Sequence, residues 1–234
     1  MNPAIKLHAN SFLHLFFPHN CLGCGTDTLS DNDLLCPKCA YELPETNFFE
    51  LNNNPVEKTF WGRITVEAAA SGFYFTKNSV LQKLMIELKY RNNKDAGIYL
   101  GKMVGKMMKE NAAYNSINAL VPLPLNPKKE IKRGYNQAKV ICDGIASVLN
   151  KPILEKAIVR VHFTETQTKQ DRVHRWQNMQ NVFAVIDEKA IEGQHILLVD
   201  DVITTGATLE ACGKEILKVT GSKLSIASVA YTII

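Results

Sequence analysis

Two adjacent carboxylates, Asp200 and Asp201, stand directly after an apolar run at residues 196–199. Four apolar residues in a row are typical of a strand that is buried on both faces of a sheet. Charged groups at the end of a buried strand need a partner, because burying an isolated carboxylate is unfavourable. Two carboxylates side by side accept hydrogen bonds from neighbouring hydroxyl groups, so the pair is a candidate site for a diol.

The residues after this acidic pair are small or hydroxylated: Thr204, Thr205, Gly206, Ala207 and Thr208. From Leu209 the apolar residues recur with a period of 3.6, which indicates a helix. Backbone N–H groups of such a loop and of a helix N-terminus hold phosphate groups, and glycine permits the tight turn. The stretch therefore predicts a site for a phosphate attached to a diol. The alternative is a buried strand that runs into a capped helix.

Four cysteines form two C-x-x-C pairs, Cys21/Cys24 and Cys36/Cys39, with eleven residues between the pairs. This spacing places four thiolates around one Zn²⁺, and four protein ligands close the site, so the metal is expected to be structural. Residues 18–45 have no pattern long enough to form a core and would gain on the order of 10 kcal/mol from the metal. The alternatives are disulfides, which a reducing cytoplasm disfavours, and a redox motif, which needs only one C-x-x-C.

A basic loop at residues 126–137 follows a predicted buried strand at 119–125. It carries four cations, Lys128, Lys129, Lys132 and Arg133, against one acid. Ligands of open α/β sheets bind at the carboxyl ends of the strands, so the loop is predicted to bind an anion. The alternative is an exposed basic turn.

Residues 162–181 follow no periodic pattern, and a run of this length inside a domain suggests a functional lid. Its cations Lys169, Arg172 and Arg175 suit a lid over phosphates.

The totals fit a cytoplasmic α/β protein. A chain of 234 residues holds one α/β domain and a small appendage, and its composition of 46% apolar and 21% charged residues is that of a soluble globular protein. No window approaches the ~20 apolar residues that span a bilayer. Residues 5–17 lack the charged segment and cleavage site of a signal peptide.

Apolar periodicity predicts the elements that position these residues. Residues 1–60 are expected to form an N-terminal helix (4–17), the cysteine module and a linker (43–60). Residues 61–234 are expected to form the main domain. Its predicted helices lie at 79–90, 95–111 and 136–149, and its predicted strands at 64–75 (a hairpin or edge strands), 153–161, 183–186 and 224–233.

Charge is distributed unevenly between these two parts. Residues 1–60 hold three lysines against seven acids, whereas the other 174 residues hold 24 cations against 16 acids. A polyanion should therefore prefer the C-terminal part. This excess alone does not establish nucleic-acid binding, because modest excess charge is usually a solvated surface.

The acidic pair and its loop resemble the signature of the type I phosphoribosyltransferases. Further motifs extend the resemblance over essentially the whole chain, to the ComF family: competence-related proteins that carry an N-terminal four-cysteine zinc module on a phosphoribosyltransferase domain. These motifs are the cysteine pairs, Leu88-Lys89-Tyr90, Arg133-Gly134-Tyr135-Asn136-Gln137, and Arg175-x-x-Asn178 with Phe183. The resemblance implies a type I phosphoribosyltransferase fold, a parallel sheet flanked by helices, with a small zinc-ribbon-like module.

The resemblance also implies roles for single residues. Asp200 and Asp201 match the carboxylates that hold the ribose hydroxyls of phosphoribosyl pyrophosphate (PRPP), and residues 204–208 match the loop that grips its 5-phosphate. Residues 126–132 occupy the position of the pyrophosphate loop, and residues 162–178 that of a flexible loop. Mg²⁺ is expected with PRPP, and single-stranded DNA and a competence helicase are implied as partners.

Three functions follow as hypotheses. The first is a PRPP-dependent transferase, in which a nitrogen nucleophile displaces pyrophosphate from C1. The acceptor is not indicated, and use of glutamine is not expected because the first cysteine, Cys21, is a predicted zinc ligand. The zinc module and linker are expected to cover the acceptor site as a hood. The second function is handling of single-stranded DNA in natural transformation, and the third is PRPP sensing without turnover.

Overall fold

Four strands form one parallel sheet in the order β1-β6-β5-β2, and a second sheet pairs β3 with β4 in antiparallel fashion. The computed structural model describes residues 20–27, 29, 33–161 and 182–233. The strands are β1 (Ala68–Tyr74), β2 (Ala119–Pro122), β3 (Ile158–Arg160), β4 (Phe183–Val185), β5 (His195–Ile203) and β6 (Lys223–Tyr231). The helices are α1 (Pro37–Tyr41), α2 (Pro55–Phe60), α3 (Val80–Tyr90), α4 (Lys94–Lys109), α5 (Pro127–Arg133), α6 (Gln137–Leu149) and α7 (Ala207–Leu217).

The main sheet is buried on both faces, as expected for a parallel sheet covered by helices. In β5 every residue from His195 to Val199 is buried, and β6 is buried from Leu224 to Ala230. Two buried hydroxyls, on Ser71 of β1 and Ser228 of β6, bond each other at 2.6 Å. The predicted α/β fold with a parallel sheet is confirmed. No helix in the described ranges is long and apolar enough to cross a membrane.

Helices α4 and α6 approach at glycines. A Cβ atom on Gly101 would lie 2.2 Å from the carbonyl oxygen of Ile141, and one on Gly144 would lie 2.3 Å from that of Ile98. Only residues without a side chain permit this contact between backbones. The contact fixes the helix that follows the basic segment, and so positions that segment beside the sheet.

The predicted linker at residues 43–60 packs against the sheet. Thr46 N donates to the Gly72 carbonyl at 3.0 Å, and Tyr74 N donates to that of Pro44 at 2.8 Å. Phe48 and Phe60 are buried here. The sequence does not show this packing, because the apolar residues follow no helix or strand period among the surrounding polar residues. The domain boundary at residue 60 stays a prediction.

Several predicted elements differ in the structure. Residues 64–75 do not form a hairpin: they contain one edge strand, β1, parallel to β6. In the stretch 153–161, Ile153 bridges Leu120 of β2, whereas β3 pairs with β4 outside the main sheet. The basic loop contains helix α5, because Asn126 caps its start and Pro127 suits the first helical position. The predicted helix at 4–17 and lid at 162–181 lie outside the described residues.

Candidate functional site

The acidic pair lies within β5, near its carboxyl end. The strand continues to Ile203, so both carboxylates are held by the hydrogen bonds of the sheet. Asp201 is buried, and its backbone N–H donates to Asp200 Oδ1 at 2.7 Å. The rigid strand thus fixes two neighbouring carboxylates at the edge where ligands of parallel sheets bind.

Lys89, at the end of α3, is the counter-ion of this pair. Its Nζ lies 2.8 Å from Asp201 Oδ2, and the two side chains are 20% and 9% exposed. The contact is ionic and lacks hydrogen-bond geometry: Asp201 Oδ2 is buried and accepts no hydrogen bond from the described residues. A buried oxygen with this free accepting capacity suits a ligand hydroxyl. In the sequence, Lys89 stands out only as part of a family motif and not as a site residue.

Burial and the neighbouring charge of Asp201 raise the pKa of Asp200 above its ordinary value. The backbone N–H of Asp201 and the positive charges of Lys89 and Arg133 lower this pKa, but they do not outweigh the effects of burial and of the Asp201 charge. The pair consequently attracts protons, cations and hydroxyl donors. A carboxyl group with a raised pKa, such as that of Asp200, is typical of functional sites.

The predicted phosphate loop has the backbone conformation that the sequence implied. Gly206 lies in the left-handed region with φ +70°, and α7 starts at Ala207 without a side-chain cap. Thr204, Thr205, Ala207 and Thr208 are exposed. The N-cap residue Gly206 offers no side-chain acceptor to the first turn of α7, and Ala207 N–H donates to Thr205 Oγ1 only at the long distance of 3.5 Å. The N–H groups of this turn are therefore suited to an anion.

Arg63 holds this loop from the N-terminal side. Its Nη1 donates to the carbonyls of Thr205, at 2.9 Å, and Thr59, at 3.0 Å, and its Nε donates to Glu210 of α7 at 2.8 Å. A Cβ atom on Gly206 would lie 3.0 Å from the Phe60 ring, so the loop also rests on α2. No local pattern marks Arg63 as a site residue, because Thr205, which it holds, is 142 positions away along the chain.

The basic segment and the end of α3 enclose a cavity of about 410 Å³. Its lining residues are Lys89, Tyr90, Asn92, Lys129, Lys132 and Arg133. The structure thus brings predicted cations Lys129 and Arg133 together with Lys89, whereas predicted Lys128 is exposed and does not line the cavity. Since Lys89 also contacts Asp201, the cationic cavity adjoins the acidic pair.

The four predicted metal ligands converge. The Sγ atoms of Cys21, Cys24, Cys36 and Cys39 all lie within 4.8 Å of one another. The Sγ atoms of Cys24 and Cys36 are 3.7 Å apart, close to the ~3.8 Å edge of a tetrahedron with metal–sulfur bonds of about 2.3 Å. All six cysteines of the chain are free thiols. The cluster therefore forms a metal site.

Three further features shape this metal site. Burial opposes ionisation of Cys21, but backbone N–H groups of Cys36, Cys24 and Gly23 outweigh it and lower the pKa of Cys21 to about 6. A Cβ atom on Gly23 would lie 2.6 Å from Cys39 Sγ, so the turn requires glycine. Lys83 of α3 donates to the Gly23 carbonyl, which ties the module to the helix that carries Lys89.

The predicted flexible-loop cations Lys169, Arg172 and Arg175 lie outside the described residues, and their roles stay predictions.

Comparisons with known proteins agree with this geometry. The phosphoribosyl transferase domain family matches residues 134–233. Competence protein F of Haemophilus influenzae is 25% identical over 218 residues, which cover 91% of this chain and 90% of that protein. DNA utilization protein YhgH of Escherichia coli is 25% identical over 202 residues, or 85% of this chain and 84% of that protein. Competence protein ComFC of Bacillus subtilis is 34% identical over 109 residues, which cover 47% of this chain and 42% of that protein.

A solved structure of glutamine PRPP amidotransferase from B. subtilis overlaps 62% of this chain and 30% of its own, with 14% identity and a TM-score of 0.44. The family match spans α6, β5, the phosphate loop, α7 and β6. A domain of this family implies a phosphoribosyl ligand. Residues 134–233 thus match a phosphoribosyl transferase domain, and the chain is similar over most of its length to proteins named for competence and DNA utilization.

Proposed function

We propose that this site binds PRPP. The supporting observation is the buried Oδ2 of Asp201, which pairs with Lys89 of the cationic cavity, accepts no hydrogen bond from the described residues and belongs to the strand that leads into the phosphate loop. The ribose hydroxyls would donate to Asp200 and Asp201. The 5-phosphate would accept from N–H groups of residues 204–208, and the diphosphate would lie among the cavity cations.

The residues on these three surfaces suit displacement of pyrophosphate. In a transfer reaction the bond between C1 and the pyrophosphate oxygen breaks, a bond from C1 to a nitrogen nucleophile forms, and that nitrogen loses a proton. The ribosyl group carries positive charge in between, so catalysis rests on positioning and on charge stabilisation. Lys129 and Arg133 would stabilise the departing pyrophosphate. Mg²⁺, bound mostly through diphosphate oxygens and water, would neutralise it further, and the nearby carboxylates and open cavity are compatible with this ion.

Calorimetry with Mg²⁺ and PRPP tests the proposed binding. The variant Asp200→Asn/Asp201→Asn should lose the binding while keeping its fold, because the amides remove the charged acceptors of the diol. Pyrophosphate release in the presence of ammonia or nucleobases then distinguishes transfer from sensing. Binding without release under every acceptor supports a PRPP sensor. A folded, metal-loaded chain that binds no PRPP contradicts both.

A second function, handling of single-stranded DNA, is supported by the names of the relatives and by one structural observation. Tyr90 is 73% exposed beside the cationic cavity, and exposed aromatic rings beside cations bind single strands by stacking. Affinity for an oligonucleotide should fall steeply between 50 and 200 mM salt, by roughly tenfold or more if a few phosphates are contacted. Affinity that does not respond to salt contradicts this function.

We also propose that the cysteine site holds Zn²⁺ and that the chain acts in the cytoplasm, where its thiols stay reduced. Metal analysis of the purified protein should give one zinc per chain. The competence helicase stays a predicted partner, for which the acidic N-terminal part is the proposed contact. Loss of binding on exchange of that part's exposed acids would support the contact.

A further inference from the structure

Two separate chain segments form one basic surface around the cavity. Residues 89–94 hold three cations, and residues 128–135 hold four cations against the single acid Glu130. We call the two segments together the basic rim. Both contribute to the lining of the same cavity, so four of these positive charges, on Lys89, Lys129, Lys132 and Arg133, meet at one opening. A surface of this kind attracts phosphates whichever molecule carries them.

The basic rim also presents aromatic rings, in contact with its own cations. The Arg133 guanidinium carbon lies 5.7 Å from the centre of the Tyr90 ring, and Lys94 Nζ lies 5.0 Å from that of Tyr135. Tyr90 is mostly exposed, so one face of its ring is accessible to a base. A positive groove with an accessible aromatic ring is the arrangement that binds single strands with little sequence preference.

The other exposed aromatic side chains have different surroundings. Trp61 is exposed and Lys58 Nζ lies 5.9 Å from its ring centre, but the cavity beside it is lined by Glu57 and Glu67. Tyr41 belongs to the N-terminal part, in which acids outnumber lysines. Carboxylates repel nucleic-acid phosphates. Within the described ranges, the basic rim is therefore the surface that fits a single strand best.

We infer that single-stranded DNA binds on the basic rim, with a base stacked on Tyr90, and that it competes with PRPP for the same cations. This rests on the proposed binding of both ligands. Lys89, Lys129, Lys132 and Arg133 line one cavity of limited volume, and their charges cannot contact a DNA phosphate and the PRPP diphosphate together. A chain that holds PRPP therefore releases a single strand.

The acidic pair distinguishes the two ligands. Asp201 contacts Lys89, so the inner end of the basic rim is next to carboxylates that accept ribose hydroxyls and repel phosphates. PRPP reaches this inner end through its diol. A deoxyribose chain lacks the vicinal hydroxyls and is expected to stay on the outer rim. Replacing the carboxylates of Asp200 and Asp201 should consequently abolish PRPP binding without weakening DNA binding.

Displacement of a labelled strand tests the competition. A fluorescent 20-nucleotide oligothymidylate is bound to the metal-loaded protein at low salt, and its anisotropy is followed while Mg²⁺-PRPP is added at constant ionic strength. The anisotropy should fall to that of the free strand, with an inhibition constant equal to the PRPP dissociation constant from calorimetry. Pyrophosphate should also displace the strand. Ribose 5-phosphate, which lacks the diphosphate, should displace it at least tenfold less effectively.

Four variants identify the residues. Tyr90→Ala should reduce the affinity for the strand by about tenfold, because stacking is lost. Tyr90→Phe should keep the natural affinity. Lys129→Gln/Lys132→Gln should reduce the affinity for both the strand and PRPP. It should also reduce the slope of log affinity for the strand against log salt concentration by about two. The matched control is Lys102→Gln/Lys106→Gln on the exposed face of α4, which removes the same charge and should weaken the strand by less than about threefold.

The double variant Asp200→Asn/Asp201→Asn gives the decisive comparison. It should bind the strand at least as tightly as the natural protein and resist displacement by PRPP. If saturating PRPP leaves the natural complex intact, the competition is refuted while both proposed ligands stand. If no strand binds at low salt, this inference and the proposed DNA function both fail, and the PRPP site is unaffected.

Discussion

Replacing Lys89 by methionine should destabilise the protein in a manner that depends on pH. The change keeps the length of the side chain but removes the cation 2.8 Å from the buried Asp201 Oδ2. Removal of one partner of a buried ion pair costs about 3 kcal/mol, because the other charge stays buried. The loss of stability in this variant has an upper limit, since the carboxylate of Asp201 can instead take up a proton.

The upper limit follows from the ordinary pKa of aspartate. Protonating a carboxyl group with a pKa of about 3.9 costs about 1.4 kcal/mol per pH unit above that value. The limit is therefore about 4 kcal/mol at pH 7 and about 1.5 kcal/mol at pH 5. The free energy of unfolding of Lys89→Met should fall by about 3 kcal/mol at pH 7 but by no more than about 1.5 kcal/mol at pH 5.

Asp200 also makes the protein less stable as pH rises. Its folded pKa is raised above the unfolded value, so the folded state binds more protons than the unfolded state between the two values. Stability must then decrease as pH rises from about 4 towards the folded pKa. Lys89 acts against the rise in the pKa of Asp200. Its removal therefore raises that pKa further and steepens the decrease in stability.

Urea denaturation at pH 5 and pH 7 measures these differences. Lys218→Met is the control, since Lys218 is 62% exposed and pairs with Glu215 on the surface; its loss should stay below about 1 kcal/mol at both pH values. Adding Asp201→Asn to Lys89→Met should recover most of the stability, because the buried charge of Asp201 is then also absent. An equal loss at pH 5 and pH 7 would refute the electrostatic explanation and assign the effect to packing.

Three further changes have expected outcomes. Arg63→Gln should reduce the affinity for both PRPP and ribose 5-phosphate about tenfold in calorimetry, with little change in melting temperature. The reason is that a charged donor to the phosphate loop is worth about 1.5 kcal/mol. Lys214→Gln, which removes the other cation on Glu210, should change neither affinity. Cys24→Ser should abolish stoichiometric zinc in metal analysis, and chelation of the natural protein should lower its melting temperature similarly; one zinc per variant chain would exclude Cys24 as a ligand. Gly144→Ala should reduce the free energy of unfolding by about 3 kcal/mol in urea, because its Cβ would meet the α4 backbone at 2.3 Å; a loss below about 1 kcal/mol would show that the helices can separate.

The chemistry that the sequence identified is carried by short, local patterns. The C-x-x-C pairs bring four sulfur atoms within 4.8 Å of one another. The strand with its acidic pair, the glycine turn and the helix follow one another along the chain from β5 to α7. Each of the three has a local cause: an apolar run, a residue suited to positive φ and an apolar helical period. The sequence also indicated the parallel α/β fold, which the structure confirms, and a phosphoribosyltransferase domain, which agrees with the family match over residues 134–233.

Where the sequence misled, long-range packing was the cause. Residues 43–60 read as a polar linker, yet Phe48 and Phe60 enter the core. The predicted strand at 153–161 divides between two sheets, because Ile153 pairs with β2 and β3 pairs with β4. No local period distinguishes these outcomes, since each depends on which surface is available when the chain packs.

By itself, the sequence determined which chemical groups the protein carries and which of them stand next to each other along the chain. Only the tertiary structure decided that Lys89 neutralises Asp201, that Arg63 holds Thr205, and that Tyr90 stands beside the cavity cations. The physical reason is that a buried charge or an open carbonyl is satisfied by whatever group the fold brings near, whereas a sequence pattern records only neighbours within a few residues.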